Sequence, residues 1–218
     1  MIADQQLFRT IAAMKMEGCN IYAHSVRVAG YSAAIAQKLQ LSPLEISIIE
    51  RAALLHDIGK ISVARSVLIK PGHLTAKEYD QVKQHSIVGE RVANRIRGLA
   101  PLAPLIRSHH ERYDGYGYPD GLRAKNIPIG GRIIAVADAF DAMTTVRPYR
   151  SARSIKASVD ELLVCSGTQF DPQVVKAFLA SLEKERFPKN MLSRATRKLF
   201  EQLCLWPGMS EFVYQSWL

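Results

Sequence analysis

The stretch SPLEISIIERAALLHDIGK, residues 42–60, predicts a helix with a well-marked start and end. Ser42 and Glu45 form a capping box around a proline at the first helical position, which is a sequence signature of a helix N-terminus. Apolar residues then recur at helical spacing as far as His56, and Gly59 is typical of a helix end. The pattern therefore delivers a histidine and an aspartate together at the C-terminal end of one helix.

Helical periodicity continues through most of the remaining chain. Thr75 and Glu78 form a second capping box, and Asp171 precedes a proline that would start a further helix. The clearest apolar faces, at spacings of three and four, are Val28, Tyr31, Ile35 and Leu39; Leu102, Leu105 and Ile106; and Val174, Val175, Phe178 and Leu182. Convincing strand alternation is missing, although a short pairing within residues 116–131 stays open. We predict an all-α fold.

The composition limits the class of protein. The three cysteines, Cys19, Cys165 and Cys204, are isolated, so a disulfide framework or a cysteine-rich zinc site is not expected. The chain has no apolar run long enough for a signal peptide or a membrane span, and we expect a cytoplasmic protein without a membrane contact. The net charge of +9 favours anionic ligands, but it is scattered, and a merely solvated basic surface explains it equally well. A stable nucleic-acid complex is not expected.

Five polar residues lie on or beside the apolar faces of predicted helices: His24, His56, His85, His109 and Asp138. One such histidine is usually a satisfied core residue, but burying five unpaired polar groups would be costly unless they shared a partner. A metal cluster is the simplest shared partner. Imidazole and carboxylate ligands without thiolates suit Fe, Mn, Zn, Ni or Co. Asp57 could bridge two ions, an arrangement that hydrolyses phosphoesters with a bridging hydroxide as nucleophile.

Seven segments carry a resemblance to a known family: HDIGK at 56–60, KPGHLT at 70–75, HHERYDGYGYPDGL at 109–122, IP at 127–128, RIIAVADAFDAMT at 132–144, RPYR at 147–150 and GTQFDP at 167–172. Together they resemble the HD-GYP family, a branch of the HD metal-dependent phosphohydrolases, over about residues 19–180. The resemblance implies an all-helical domain that hydrolyses cyclic di-GMP at a bi- or trinuclear metal site.

The resemblance also implies which residues form the site. One metal would be held by His24, His56, Asp57 and Asp138, and the other by Asp57, His85, His109 and His110. Lys60 and Asp57 are the catalytic candidates. Lys60 would contact a phosphate oxygen, although a lysine at a helix end is also favoured by the helix dipole. Arg147 and Arg150 would contact phosphate or guanine, and Tyr118 would stack on guanine or pack the loop. Glu111 and Asp114 are candidates for supporting the histidines and the loop.

One position departs from the family pattern. Members with a third metal carry glutamate four residues before the first histidine ligand, where this chain has Asn20. Asparagine is a neutral and poorer ligand, so we expect two divalent ions, with Fe or Mn ahead of Zn, Ni or Co. The end product, linear pGpG or GMP, stays open.

The expected organisation is a lead-in helix over residues 1–18, the HD-GYP domain over 19–185 and a helical extension over 186–218. The extension would pack back on the domain, with a homodimer contact as the second interpretation. Two alternatives to cyclic di-GMP hydrolysis remain. The chain could be a low-turnover cyclic di-GMP receptor or interaction module, whose loop contacts a partner such as a diguanylate cyclase. It could also hydrolyse another cyclic dinucleotide, because a metal cluster binds phosphate and not base.

Overall fold

The computed structural model describes residues 19–146 and 151–182, and within residues 19–22 it describes the backbone alone. These ranges are helical and contain no named strand; their one isolated bridge joins Ser166 and Phe170. The all-α prediction is confirmed, and the pairing left open within residues 116–131 does not form. The predicted lead-in helix, residues 1–18, and C-terminal extension, residues 186–218, lie outside the described residues.

Eight α-helices form within the described ranges: α1 Cys19–Lys38, α2 Pro43–Leu55, α3 Arg65–Leu68, α4 Ala76–Arg95, α5 Ala103–Ser108, α6 Ile129–Thr144, α7 Ile155–Val164 and α8 Pro172–Leu182. Three short 3-10 helices connect them: Ile58–Ser62, Ala100–Leu102 and Ala124–Asn126. None of the helices described is both long and apolar enough to span a bilayer.

Both predicted capping boxes form. The Ser42 hydroxyl accepts from the Glu45 amide, and the Glu45 carboxylate accepts from the Ser42 amide at 2.9 Å. Thr75 and Glu78 make the same reciprocal pair at the start of α4, with the carboxylate 2.7 Å from the Thr75 amide. Each box satisfies two amides that the first helical turn leaves without an intrahelical acceptor, so each fixes where its helix begins.

The role of Gly59 differs from the predicted one. Helix α2 ends at Leu55 with His56 as its C-cap, and Gly59 lies in the following 3-10 helix. A Cβ at Gly59 would lie 1.8 Å from the carbonyl oxygen of His85. The glycine therefore lets the segment after His56 pack directly on the backbone of α4, which brings Asp57 close to His85.

The core lies where α1 packs against α2, α6 and α8. Tyr31 of α1, Phe140 of α6 and Phe178 of α8 meet edge to face, with ring centroids 4.7–6.0 Å apart. Such aromatic contacts are favourable beyond the apolar area that they bury. They hold α1 against α6, which places His24 of α1 beside Asp138 of α6.

Candidate metal centre

The structure brings all seven predicted ligand residues together. They come from α1, the end of α2, α4, the end of α5 and α6. Their donor atoms form three overlapping groups, and within each group the atoms lie within 4.8 Å of one another: His24, His56 and Asp138; His56, Asp57 and His109; and His85, His109 and His110. Shared His56 and His109 link the three groups into one centre.

Three of the histidines are oriented by the backbone of their own helix. The Nδ1 atoms of His56, His85 and His109 each lie 2.6–2.7 Å from the carbonyl oxygen three residues earlier. A carbonyl only accepts, so each Nδ1 carries the proton and each Nε2 presents a lone pair to the centre. This is the usual arrangement of a histidine that binds a metal through Nε2.

The donor set fits a cation. The Nε2 atoms of His85 and His109 face each other at 3.2 Å, and both residues are buried. With both Nδ1 protons donated elsewhere, two lone pairs meet with no proton between them. A divalent ion held by both nitrogens would resolve this conflict, and the carboxylates would balance its charge.

Asp57 occupies the middle of the centre. Its Oδ2 lies 3.4 Å from the Nε2 of His56, and its Oδ1 lies 3.6 Å from the Nε2 of His85. Lys60 donates to Oδ2 at 2.7 Å. Burial alone would raise the pKa of Asp57, but the positive charge of Lys60 beside it holds that pKa well below its usual range. The residue is therefore an ionised carboxylate whose two oxygens face different halves of the centre.

The histidines on the α4–α5 side are neutral. Burial lowers the pKa of His85, lowers that of His109 well below its ordinary value and lowers that of His110 to about 3. Neutral imidazole is the form that binds a metal, so this side is ready for coordination without losing protons.

His24 has a different environment. Its Nδ1 lies 2.7 Å from Asp141 and its Nε2 lies 3.3 Å from Asp138. Burial lowers the pKa of His24, but the hydrogen bonds to both carboxylates outweigh burial and raise it to about 9. The sequence analysis gave Asp141 no function. The signal was its position three residues after Asp138, on the same face of α6.

The loop after the paired histidines is held by Glu111. Its buried carboxylate accepts from the amides of Asp120 at 2.7 Å and Leu122 at 3.0 Å. Burial raises the pKa of this carboxyl. A Cβ at Gly117 would lie 2.2 Å from the Arg112 amide, so the loop needs glycine there to fold back on itself. The Glu111 carboxylate thus supports the loop, which is one of the two roles predicted for it.

Asp114 also shapes the loop. It accepts from the Arg112 guanidinium at 2.6 Å and 3.1 Å and from the Tyr116 amide at 3.1 Å. The described bonds of the Asp114 carboxylate therefore run within the loop, and its amide donates to the Thr168 carbonyl at 2.8 Å.

Tyr118 lies over the outer side of the centre. Its amide donates to the His110 carbonyl at 3.2 Å, and the two rings lie 4.9 Å apart between centroids with an interplanar angle of 33°. Burial, followed by the charges of Tyr79, Asp57 and Asp138, raises the pKa of its hydroxyl. Tyr118 is therefore near enough to the centre to contact a ligand bound there.

The side chains of three residues with predicted roles are not described by the structure. Arg147 and Arg150 lie outside the described ranges, and Asn20 lies in α1 where the backbone alone is described. Their predicted roles stay predictions.

Comparison with known proteins identifies the family. Residues 6–174 match the family model described as HD domain. The chain is 44% identical over 164 residues to a cyclic di-GMP phosphodiesterase of Thermotoga maritima, an alignment that covers 74% of this chain and 44% of that protein. It is 41% identical over 177 residues to the cyclic di-GMP phosphodiesterase response regulator RpfG of Xanthomonas campestris, covering 80% of this chain and 47% of that protein. The chain thus spans less than half the length of these relatives.

A solved structure agrees with the fold. The crystal structure of a cyclic GMP-AMP specific phosphodiesterase of Vibrio cholerae, V-cGAP3, superposes with a TM-score of 0.61 at 21% identity. The superposition covers 81% of this chain and 48% of the Vibrio cholerae chain. At this identity the likeness concerns the fold alone. The family match, the relatives and the motifs of residues 56–60 and 109–122 agree: the chain belongs to the HD domain family, in its HD-GYP branch.

Proposed function

We propose that this chain is a metal-dependent phosphodiesterase that hydrolyses cyclic di-GMP to linear pGpG, GMP or both. The observation that carries the proposal is the centre itself, in which lone pairs of His85 and His109 face each other beside the ionised Asp57. Such a donor set has little use in a folded protein except to hold cations. Both relatives are cyclic di-GMP phosphodiesterases, which supports cyclic di-GMP as the substrate.

Two divalent ions are the expected cofactors, with Fe or Mn as first candidates and Zn, Ni or Co as alternatives. One would be held by His24, His56, Asp57 and Asp138, and the other by Asp57, His85, His109 and His110. His109 and His110 would thus share an ion that His24 does not contact. Because Asn20 replaces a glutamate of the family pattern, we propose no third ion. When bound, such ions would supply an activated water and positive charge to balance the phosphate oxygens.

The protein residues around the ions would bind and orient the phosphodiester. Lys60 lies at the centre, bonded to Asp57 and about one third exposed, so its ammonium can face a bound phosphate. Its positive charge would stabilise the negative charge that develops on phosphate oxygens during hydrolysis. Asp57 would keep Lys60 protonated and oriented. These two residues are our catalytic candidates within the chain.

Recognition of the nucleotide would fall to other residues. Tyr118, next to His110, would offer its ring to a guanine, since aromatic rings stack on bases. Arg147 and Arg150 would donate to phosphate or to guanine, because a guanidinium fork matches either acceptor pair. We propose a cytoplasmic site of action. A diguanylate cyclase bound at the loop and a homodimer are further proposals.

Product analysis tests this function. The protein would be purified without oxygen, loaded with Fe(II) or Mn(II), and incubated separately with cyclic di-GMP and with 3'3'-cGAMP. The proposal expects pGpG or GMP from cyclic di-GMP and loss of product in His56→Ala. Faster turnover of cGAMP would indicate that the preferred substrate is a mixed cyclic dinucleotide. Tight binding of cyclic di-GMP without product, whichever metal is loaded, would indicate that the protein is a receptor and not an enzyme.

A further inference from the structure

His24 is anchored differently from the other histidines of the centre. His56, His85 and His109 donate Nδ1–H to carbonyls of their own helices or helix ends, whereas His24 donates to Asp141, which is 117 residues away on α6. A carboxylate acceptor makes an imidazole a more basic ligand than a carbonyl does. The orientation of His24 thus depends on a side chain from a separate helix.

Arg27 holds that side chain in place. It lies three residues after His24 on α1, and its guanidinium bonds both oxygens of Asp141, through Nε to Oδ1 and through Nη2 to Oδ2 at 3.0 Å. The same Nη2 donates to the Thr145 hydroxyl at 3.2 Å. Asp141 is buried. A bidentate pair fixes the plane of the carboxylate, so Oδ2 is held toward His24.

We infer that Asp141 and Arg27 are positioning residues that set the metal affinity of the group formed by His24, His56 and Asp138. The inference rests on the proposed function, because it takes His24 as a metal ligand. Asp141 would act by fixing the His24 ring, and Arg27 would act by fixing Asp141. Removing an acceptor of this kind lowers metal affinity about 10- to 100-fold.

The effect should be confined to one half of the centre. On the other side, His85 and His109 are oriented by the carbonyls of Val82 and Ile106, which a substitution of Asp141 leaves in place. Backbone anchors belong to their helices and persist as long as the helices do. A change at Asp141 or Arg27 should therefore weaken binding of the ion near His24 and leave binding of the ion near His85 and His109 unchanged.

A stepwise titration with Co(II) against a competing chelator tests the inference, because the visible absorption of Co(II) reports nitrogen coordination without any substrate. Asp141→Asn and Arg27→Met should weaken one binding step about 10- to 100-fold and leave the other within about threefold. The weakened step must be the one that His24→Ala removes, and it must survive in His110→Ala. Arg27→Lys should fall close to Arg27→Met, since lysine lacks the planar fork.

Arg132→Met is the matched control. Arg132 makes an ion pair with the buried Asp171 elsewhere in the fold, so its loss perturbs a comparable pair without touching a proposed ligand. Both Co(II) steps should be retained in this variant. If Asp141→Asn does not fold, the two Arg27 variants, which keep the carboxylate, decide the question.

Three results would overturn the inference: a wild type with a single step, unchanged steps in the folded Asp141 and Arg27 variants, or equal weakening of both steps. Failure of the proposed function would be a different result. Absence of hydrolysis by a protein that still shows the selective weakening would remove the phosphodiesterase assignment and leave the positioning role.

Discussion

The Nε2 atoms of His85 and His109 lie 3.2 Å apart, with both Nδ1 atoms hydrogen-bonded to carbonyl oxygens behind them. This arrangement directs two nitrogen lone pairs at each other inside the protein. Two facing lone pairs repel each other, and a cation held between them would make the contact favourable. Binding of an ion here would therefore remove a local cost from the folded state.

Metal binding should stabilise the fold. At a free Mn(II) concentration of about 100 times Kd, binding adds about 2.7 kcal/mol to the free energy of unfolding, or roughly 5–10 °C in Tm for a chain of this size. Differential scanning fluorimetry of chelator-treated protein, with and without Mn(II), measures the shift. The double variant His85→Ala/His109→Ala should show a much smaller shift. Equal shifts in the two proteins would place the ion elsewhere.

Gly59→Ala should destabilise the protein and disturb the centre. The added methyl would lie 1.8 Å from the His85 carbonyl oxygen, so the 3-10 helix that carries Lys60 must move away from α4. Overpacking of this kind costs about 1–3 kcal/mol, which urea unfolding measures. Ser66→Ala, at an exposed position of the neighbouring α3, is the control and should change the free energy of unfolding by less than about 0.5 kcal/mol. A Gly59→Ala protein as stable as this control would refute the close contact.

The stability of the metal-free protein should have a maximum near pH 6.5. Burial lowers the pKa of His110 from 6.5 to about 3, so its contribution is present above pH 6.5 and is lost as pH falls toward 3. The carboxylates around His24 raise its pKa from 6.5 to about 9, so its contribution is present below pH 6.5 and is lost as pH rises toward 9. Urea unfolding between pH 4 and 10 measures both limbs.

His24→Gln is the informative variant for this pH profile. It should flatten the alkaline limb and keep the acid limb, because the glutamine amide does not titrate. His73→Gln, in an exposed loop, should leave both limbs unchanged. Wild-type stability that is constant from pH 6.5 to 9 would contradict the environment described for His24.

Glu111→Ala should loosen the loop without removing the metal. The substitution leaves the amides of Asp120 and Leu122 without their acceptor, and hydrogen bonds to a charged group are worth about 1.5–3 kcal/mol each. We expect faster proteolysis within residues 113–120 and a higher KM, with metal content retained. Glu111→Gln, which keeps one acceptor oxygen, should be intermediate. Loss of bound metal in Glu111→Ala would instead show that Glu111 supports the metal-binding histidines.

Lys60→Met should lower kcat/KM by about 10²–10³, as removal of a group that stabilises developing charge does. Lys60→Arg should recover part of the loss, because it restores the positive charge. Metal content must be measured on both variants, since Lys60 also contacts Asp57. A full loss of metal in Lys60→Met would show that the lysine holds the centre together and would remove the argument for phosphate binding.

Local features of the fold could be predicted from the sequence. The capping boxes at Ser42 and Thr75 depend on residues three positions apart, and the helical faces depend on spacings of three and four, so neither needs knowledge of the tertiary structure. The seven ligand candidates were found because several inward polar residues and the family motifs pointed to the same positions. The structure places them in one centre, although which of them share an ion stays a proposal.

The features that sequence reasoning missed depend on distant contacts. Asp141 meets His24 and Arg27 across more than a hundred residues, and Gly59 matters because α4 passes against it. No spacing rule within one helix reveals either contact. The helical period puts Asp141 on the same face as Asp138, but only the packing of α1 on α6 shows what it contacts.

Removal and return of the metal is the most direct test of the central claim. Cyclic di-GMP hydrolysis would be followed by chromatography in one preparation, as purified, after chelation and after re-addition of Fe(II) or Mn(II). We predict that chelation abolishes formation of pGpG and GMP and that metal restores it, with no restoration in His109→Ala. Hydrolysis that persists after complete chelation, or that never appears with either metal, would contradict the account.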